Sequence, residues 1–146
     1  AEDIERDEIR TVEIRSVPLG EMALNISDEL FKVTRMMCDG SSRVAGLFRR
    51  GDDQEALELF QDLLDVTRDF MSMVGVLRSE FVDVSDPQFS TLVERVSELL
   101  GEMSEVLSGE DWILLADLLE FEFNPVCEAW NKNLEKLRAD IARRLD

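Results

Sequence analysis

Histidine is missing from this sequence altogether. With it go the commonest general base and the commonest transition-metal ligand. Ser-His-Asp and Cys-His catalysis within one chain are excluded, as are histidine-containing zinc sites and the Glu-x-x-His di-iron sites of helical bundles. Cysteine is scarce: Cys38 and Cys127 stand far apart, form no CxxC, and read as reduced thiols packed in helices rather than a disulfide framework. Proline occurs only at Pro18, Pro87 and Pro125, which leaves long helices free to form. No apolar run approaches the roughly 18 residues a membrane span needs. The opening AEDIERDEIR is acidic where a secretory signal would be basic and then apolar, so a cytoplasmic protein is expected. Positive charge is short as well, with 16 Lys and Arg against 33 Asp and Glu for a net charge of −17. That field repels a phosphate backbone and an anionic bilayer, so neither nucleic acid nor a membrane is expected as a partner.

The carboxylates themselves form no calcium loop of the D-x-[DN]-x-[DN]-G type, and no Gly-rich phosphate cradle accompanies them. Asp52/Asp53, Asp83/Asp86 and Glu110/Asp111 read as helix caps and loops, and Asp117/Glu120 as part of a solvated stripe. Arg43, Arg49 and Arg50 complement a helix C-terminus. No catalytic residue, metal ligand or cofactor is expected, and the function should be non-enzymatic.

What is present is apolar periodicity. Hydrophobic residues make up 45% of 146, enough for one domain with a real core. Ile26, Leu30, Val33, Met37, Gly40, Val44 and Leu47 follow alternating spacings of four and three, a heptad seam on a helix over about 20–49. Gly40-Ser41-Ser42 interrupts its bulky residues and either bends the helix or admits a close neighbour, and Gly51 is a stop signal. A second helix, over about 52–82, carries Ala56, Phe60, Leu63, Thr67, Phe70, Val74 and Leu77, ending near Phe81. Ser85-Asp86-Pro87 restarts the chain with a cap and a first-turn proline. The third helix, about 87–107, presents Phe89, Leu92, Val96, Leu99, Met103 and Val106. The fourth, about 110–145, presents Trp112, Leu115, Leu119, Phe123, Val126, Trp130, Leu134, Leu137 and Ile141. Short loops between amphipathic helices predict an all-α, antiparallel, up-down four-helix bundle over residues 20–146. Residues 1–19 are an acidic segment, extended or frayed, in which TVEIRSV (11–17) alternates weakly like a strand.

The stretch LLADLLEFEFNPVCEAW (114–130) holds more apolar surface than one core stripe needs. Asp117, Glu120, Asn124, Glu128, Asn131 and Glu135 share a polar arc, read as solvated. Leu114, Leu118, Phe121 and Pro125 form a second apolar strip beside it, and Glu122 falls where a carboxylate is partly buried and needs a donor. Pro125 cannot donate to the carbonyl of Phe121, so a kink is expected there. Helix one repeats the pattern with Leu24, Phe31, Cys38 and Ala45 every seven residues, and helix two adds Val66, Met73 and Val76. The expectation is an interaction or adaptor module that binds partners through Leu114, Leu118, Phe121, Glu122, Pro125, Leu24 and Phe31, with a homodimer as the expected partner and another protein or amphipathic helix also possible. The alternative is an acidic chaperone or decoy that binds a basic or amphipathic client by surface charge.

This C-terminal stretch resembles a group of small, uncharacterised bacterial helical proteins with a signature of the type LLADLLEYEL-x-P-x-x-x-x-W. The matching positions are Asp117, Leu118, Leu119, Glu120, Glu122, Pro125 and Trp130, with Phe121 where tyrosine is usual. An LF-x-x-G-x-x-x-x-AL segment of that group is matched by LFRRGDDQEAL (47–57). The resemblance implies a helical bundle and no particular activity. The chain length and the G-D-x-x-x-A-L helix start are also similar to flagellar secretion chaperones, acidic bundles that wrap an amphipathic client, which is the fold-level analogy behind the alternative reading.

Overall fold

A computed structural model of the chain describes the backbone of residues 2–80 and 87–145 and the side chains of residues 20–79 and 87–143. Among the described residues every element is helical. α1 spans Glu2–Arg49, α2 Asp53–Glu80 and α3 Pro87–Ser108. In the last rod α4 (Trp112–Leu118) passes through a π-helical segment (Leu119–Phe123) into α5 (Asn124–Leu145). The all-α expectation holds, in four helical rods. The end of the second helix near Phe81 and the Ser85-Asp86 cap lie outside the described residues. α1 corrects one expectation: it begins at Glu2, so residues 11–17 are helical rather than extended. A weakly alternating segment with no second strand to pair with has little to hold it extended, whereas continuing a helix adds a hydrogen bond per residue.

Both visible turns stop their helices in the same way. After α1, Asp52 N–H donates to the Leu47 carbonyl at 3.0 Å and Gly51 N–H to that of Phe48 at 3.2 Å, with Gly51 at φ 81°. After α3, Asp111 N–H donates to Val106 at 3.4 Å and Glu110 N–H to Leu107 at 3.1 Å. Here the left-handed residue is Glu110, at φ 55°, and not the neighbouring Gly109. The Asp111 carboxylate then accepts from Leu114 N–H at 3.1 Å and caps α4.

The α2 seam is buried at every expected position from Ala56 to Leu77, and α3 buries Phe89, Leu92, Val96, Leu99 and Met103. The core centres on Trp130 of α5, whose indole meets Phe70 of α2 and Phe89 of α3 nearly at right angles, with centroids 5.1 and 5.0 Å away. Farther along the bundle Phe48 of α1 stacks on Trp112 of α4 at 5.5 Å.

On α1 the seam is displaced from the one the apolar residues suggest. The fully buried positions include Ala23, Ser27, Leu30, Thr34, Met37, Ser41, Val44 and Phe48, whereas Ile26, Val33 and Gly40 are half-buried. Three small hydroxyl residues recurring every seven positions therefore occupy the interior. Each hydroxyl donates to its own helix: Ser27 to Ala23 O at 2.8 Å, Thr34 to Phe31 O at 2.7 Å and Ser41 to Cys38 O at 2.9 Å. That bonding keeps the polar atoms satisfied away from water. α1 continues unbroken through Gly40, where Leu63 of α2 packs closely. A Cβ placed on Gly40 would lie 3.4 Å from Leu63 Cδ1.

Candidate protein-contact surface

The last rod is shaped by Pro125. With no N–H at that residue, the turn that would end on the Phe121 carbonyl has no donor. The chain adopts a wider turn there, and Asn124 N–H donates to Leu119 O, five residues back. The expected kink is thus a π bulge. It lets Leu115, Leu119, Phe123 and Cys127, spaced by fours, all face inward. Cys127 consequently takes the interior place expected for Val126, which is half-buried.

The polar arc of this rod is not a solvated face along its length. It packs against α1 as a ladder of polar rungs. Arg49 reaches Asp117 Oδ1 at 2.8 Å and Glu120 Oε2 at 2.6 Å. Asn124 Nδ2 lies 2.8 Å from Cys38 O, 2.9 Å from Ser41 Oγ and 3.1 Å from Ser42 Oγ. Asn131 Nδ2 donates to Thr34 Oγ1 at 2.9 Å, and Arg138 pairs with Asp28. Residue numbers fall along α1 as they rise from Asp117 to Arg138, and the rungs on the last rod recur every seven positions. The two neighbouring carboxylates, that of Asp117 first, raise the Arg49 pKa above its ordinary value, so the guanidinium stays charged. Hydropathy places these residues on one arc but cannot say whether water or a matching row of hydroxyls and carbonyls lies opposite.

Between the Asn124 and Asn131 rungs the two cysteines meet. The hydrogen bond from the Cys127 thiol holds Cys38 below the ordinary thiol range. The same bond and burial push Cys127 well above it. Both thiols are free. Nothing in their sequence separation signals the contact.

The seven residues expected to bind partners fall into different settings. Leu118, the last residue of α4, is only 9% exposed and belongs to the core. Leu24 packs against the core, and Phe31 is half-buried beside the Asn131 rung. Cys38 and Ala45, on the same strip of helix one, are likewise taken up inside the bundle. Glu122 finds its donor within the chain: Arg95 of α3 lies 3.1 Å away and also reaches Glu98 and Glu102. Leu114, Phe121 and Pro125 remain outside. Phe121 is 66% exposed and Leu114 44%, joined by Ile113 at 55%, which the spacing argument overlooked because it belongs to neither strip. Arg49 stands over the Phe121 ring, 5.9 Å from its centroid. The structure thus gathers Ile113, Leu114 and Phe121 on the outer side of the bulged rod, edged by the Arg49 ion-pair cluster.

Among the described residues no helix is long and apolar enough to cross a membrane, and no three His, Cys, Asp or Glu side chains gather as a metal site. Fold and surface define an acidic, all-helical bundle with an apolar outcrop at a π bulge. The chain belongs to the family described as domain of unknown function (DUF8042), whose model matches residues 25–133. That span includes the whole outcrop and the Arg49, Asn124 and Asn131 rungs. No curated protein and no solved structure is similar to the chain.

Proposed function

We propose that this chain is a non-enzymatic protein–protein interaction module, an up-down antiparallel four-helix bundle that self-associates through the α4 and π-segment surface. The observation that carries the reading is the outcrop of Ile113, Leu114 and Phe121, three large apolar side chains exposed together on a chain with a net charge of −17. Grouped exposed apolar surface usually marks a contact site, and a second copy offers a self-complementary one. Glu122, paired with Arg95 at its edge, sets charge register with the partner.

Light scattering at low and high salt tests this. The wild-type chain should have a dimer mass that persists or strengthens with salt, because screening relieves repulsion between two acidic copies while apolar burial is unaffected. Leu114→Ser with Phe121→Ser should give a monomer with unchanged helicity. A wild-type monomer at both salts would overturn the reading.

A further inference from the structure

On the opposite flank of α1 from α5, the junction with α2 leaves an open apolar groove. One stretch, of about 230 Å³, is lined by Met36, Gly40, Val44, Leu59, Leu63 and Val66. It continues into a stretch of about 450 Å³ that shares Met36 and Val66 and adds Val33 and Met73. Val44 and Leu63 are buried at its floor, while Met36 stands on its lip, 59% exposed. At 1.5 Å per residue the stretch of α2 from Leu59 to Met73 is about 21 Å long, room for about fourteen residues of a third helix.

The rim is charged with one sign. Asp39, Asp62 and Asp69 border the groove. None of the three has an ion pair or side-chain hydrogen bond among the described residues. Among the described residues the one basic group on the lining, Arg43, is turned to Glu55 at 4.0 Å. This differs from the outcrop on the last rod, where the neighbouring carboxylates are already paired with Arg49. Flexible methionines, a hydrophobic trough and unpaired carboxylates along both walls are the complement of a helix with one apolar face and basic flanks.

We infer that the α1–α2 groove is a docking site for a basic amphipathic helix of a partner protein. The partner seats apolar side chains at i, i+3 or i+4, and i+7 over Val33, Met36, Val66 and Met73, and its Lys or Arg residues meet Asp39, Asp62 and Asp69. A second copy of this acidic chain is a poor occupant because its charge has the same sign. The site is separate from the proposed self-association surface, and the two can fail independently.

The test uses the full chain and a fluorescein-labelled synthetic peptide of about fourteen residues, leucine at helical spacing and lysine elsewhere. Two controls are the same composition scrambled and the same pattern with glutamate replacing lysine. Fluorescence anisotropy near physiological salt should show the patterned basic peptide binding at least tenfold more tightly than either control. Met36→Lys, at an exposed position that should not disturb folding, should weaken it at least tenfold, whereas Phe121→Ser should leave it within twofold. Methyl NMR shifts on titration should be largest at Met36, Val66 and Met73. Equal binding of scrambled and patterned peptides would reduce the effect to net charge and overturn the site. Loss of binding in Phe121→Ser but not Met36→Lys would move it to the outcrop and overturn it equally. So would a Met36→Lys chain whose mass falls from dimer to monomer, since the groove would then hold a second copy.

Discussion

α1 meets its two neighbours with different chemistry. Toward α5 its flank is Ser27, Thr34 and Ser41, and the contact is ordered by rungs from Asn124, Asn131 and Arg138. Toward α2 its flank is Val33, Gly40 and Val44, and the contact is apolar, with a groove left open along its outer side. Small hydroxyl residues let α5 come close, and the amide rungs meet acceptors fixed in place on α1, so a shift of one turn would strand the Asn124 and Asn131 donors. Apolar side chains are less particular about their neighbours. The comparison suggests that α1 and α5 fix the register of the bundle, while α1 and α2 supply burial and a surface that can still accept another helix.

The first way to break this contrast lies on the α2 flank. Leu63 is buried and packs at Gly40, so Leu63→Ala should cost about 2–5 kcal/mol in denaturant-measured stability, with no loss of helical register. On the α5 flank Asn124→Ala removes the donor to three acceptors and leaves the Cys38 carbonyl and Ser41 hydroxyl with one partner fewer. The expected loss is smaller, about 1–3 kcal/mol by chemical denaturation. It should come with loosened α1–α5 contacts, seen as faster amide exchange around Thr34–Ser42. An unchanged exchange pattern would mean the rungs decorate a register fixed by other contacts.

Two adjacent residues sharpen the comparison further. Gly40→Ala adds a Cβ in ordinary contact with Leu63 and removes the helix cost of glycine, so it should stabilise by about 0.5–1 kcal/mol. Ser41→Ala, one residue on, takes an acceptor from Asn124 and should destabilise by about 1 kcal/mol. Thermal melts of the two variants should move in opposite directions. The same sign for both would mean that the two flanks do not differ at this point.

The smallest effect concerns reactivity at the α5 flank. Because the Cys127 thiol lowers the Cys38 pKa, the Cys38 thiolate should be populated at a lower pH than an ordinary thiol, and iodoacetamide should modify Cys38 first. The raised pKa and burial of Cys127 should keep it unmodified in the folded chain. Cys127→Ala should move the pH midpoint of Cys38 alkylation upward. A midpoint that stays in place would show that the thiols do not interact.

Several elements were legible from residue spacing alone. The α2 and α3 seams needed only large apolar residues at helical intervals, and Gly51, Pro87 and Asp111 marked helix ends through local backbone chemistry that no distant contact alters. Pro125 announced a disturbed turn because a missing donor is a property of the residue itself. The outcrop was legible in part, through Leu114 and Phe121, while the exposure of Ile113 and the burial of Leu118 depended on what packs against the rod.

Sequence by itself therefore determined that the chain is helical, where most helices stop, which faces of α2 and α3 are apolar, and that the surface is strongly acidic, since each follows from a residue and its near neighbours. Only the tertiary structure decided that Ser27, Thr34 and Ser41 are interior, that Asn124 and Asn131 face a helix rather than water, that Glu122 already has Arg95, and that Cys38 lies against Cys127. Those outcomes turn on what stands opposite a polar group. A hydroxyl or amide satisfied by a neighbouring helix has the same local sequence as one satisfied by water, and only packing distinguishes them.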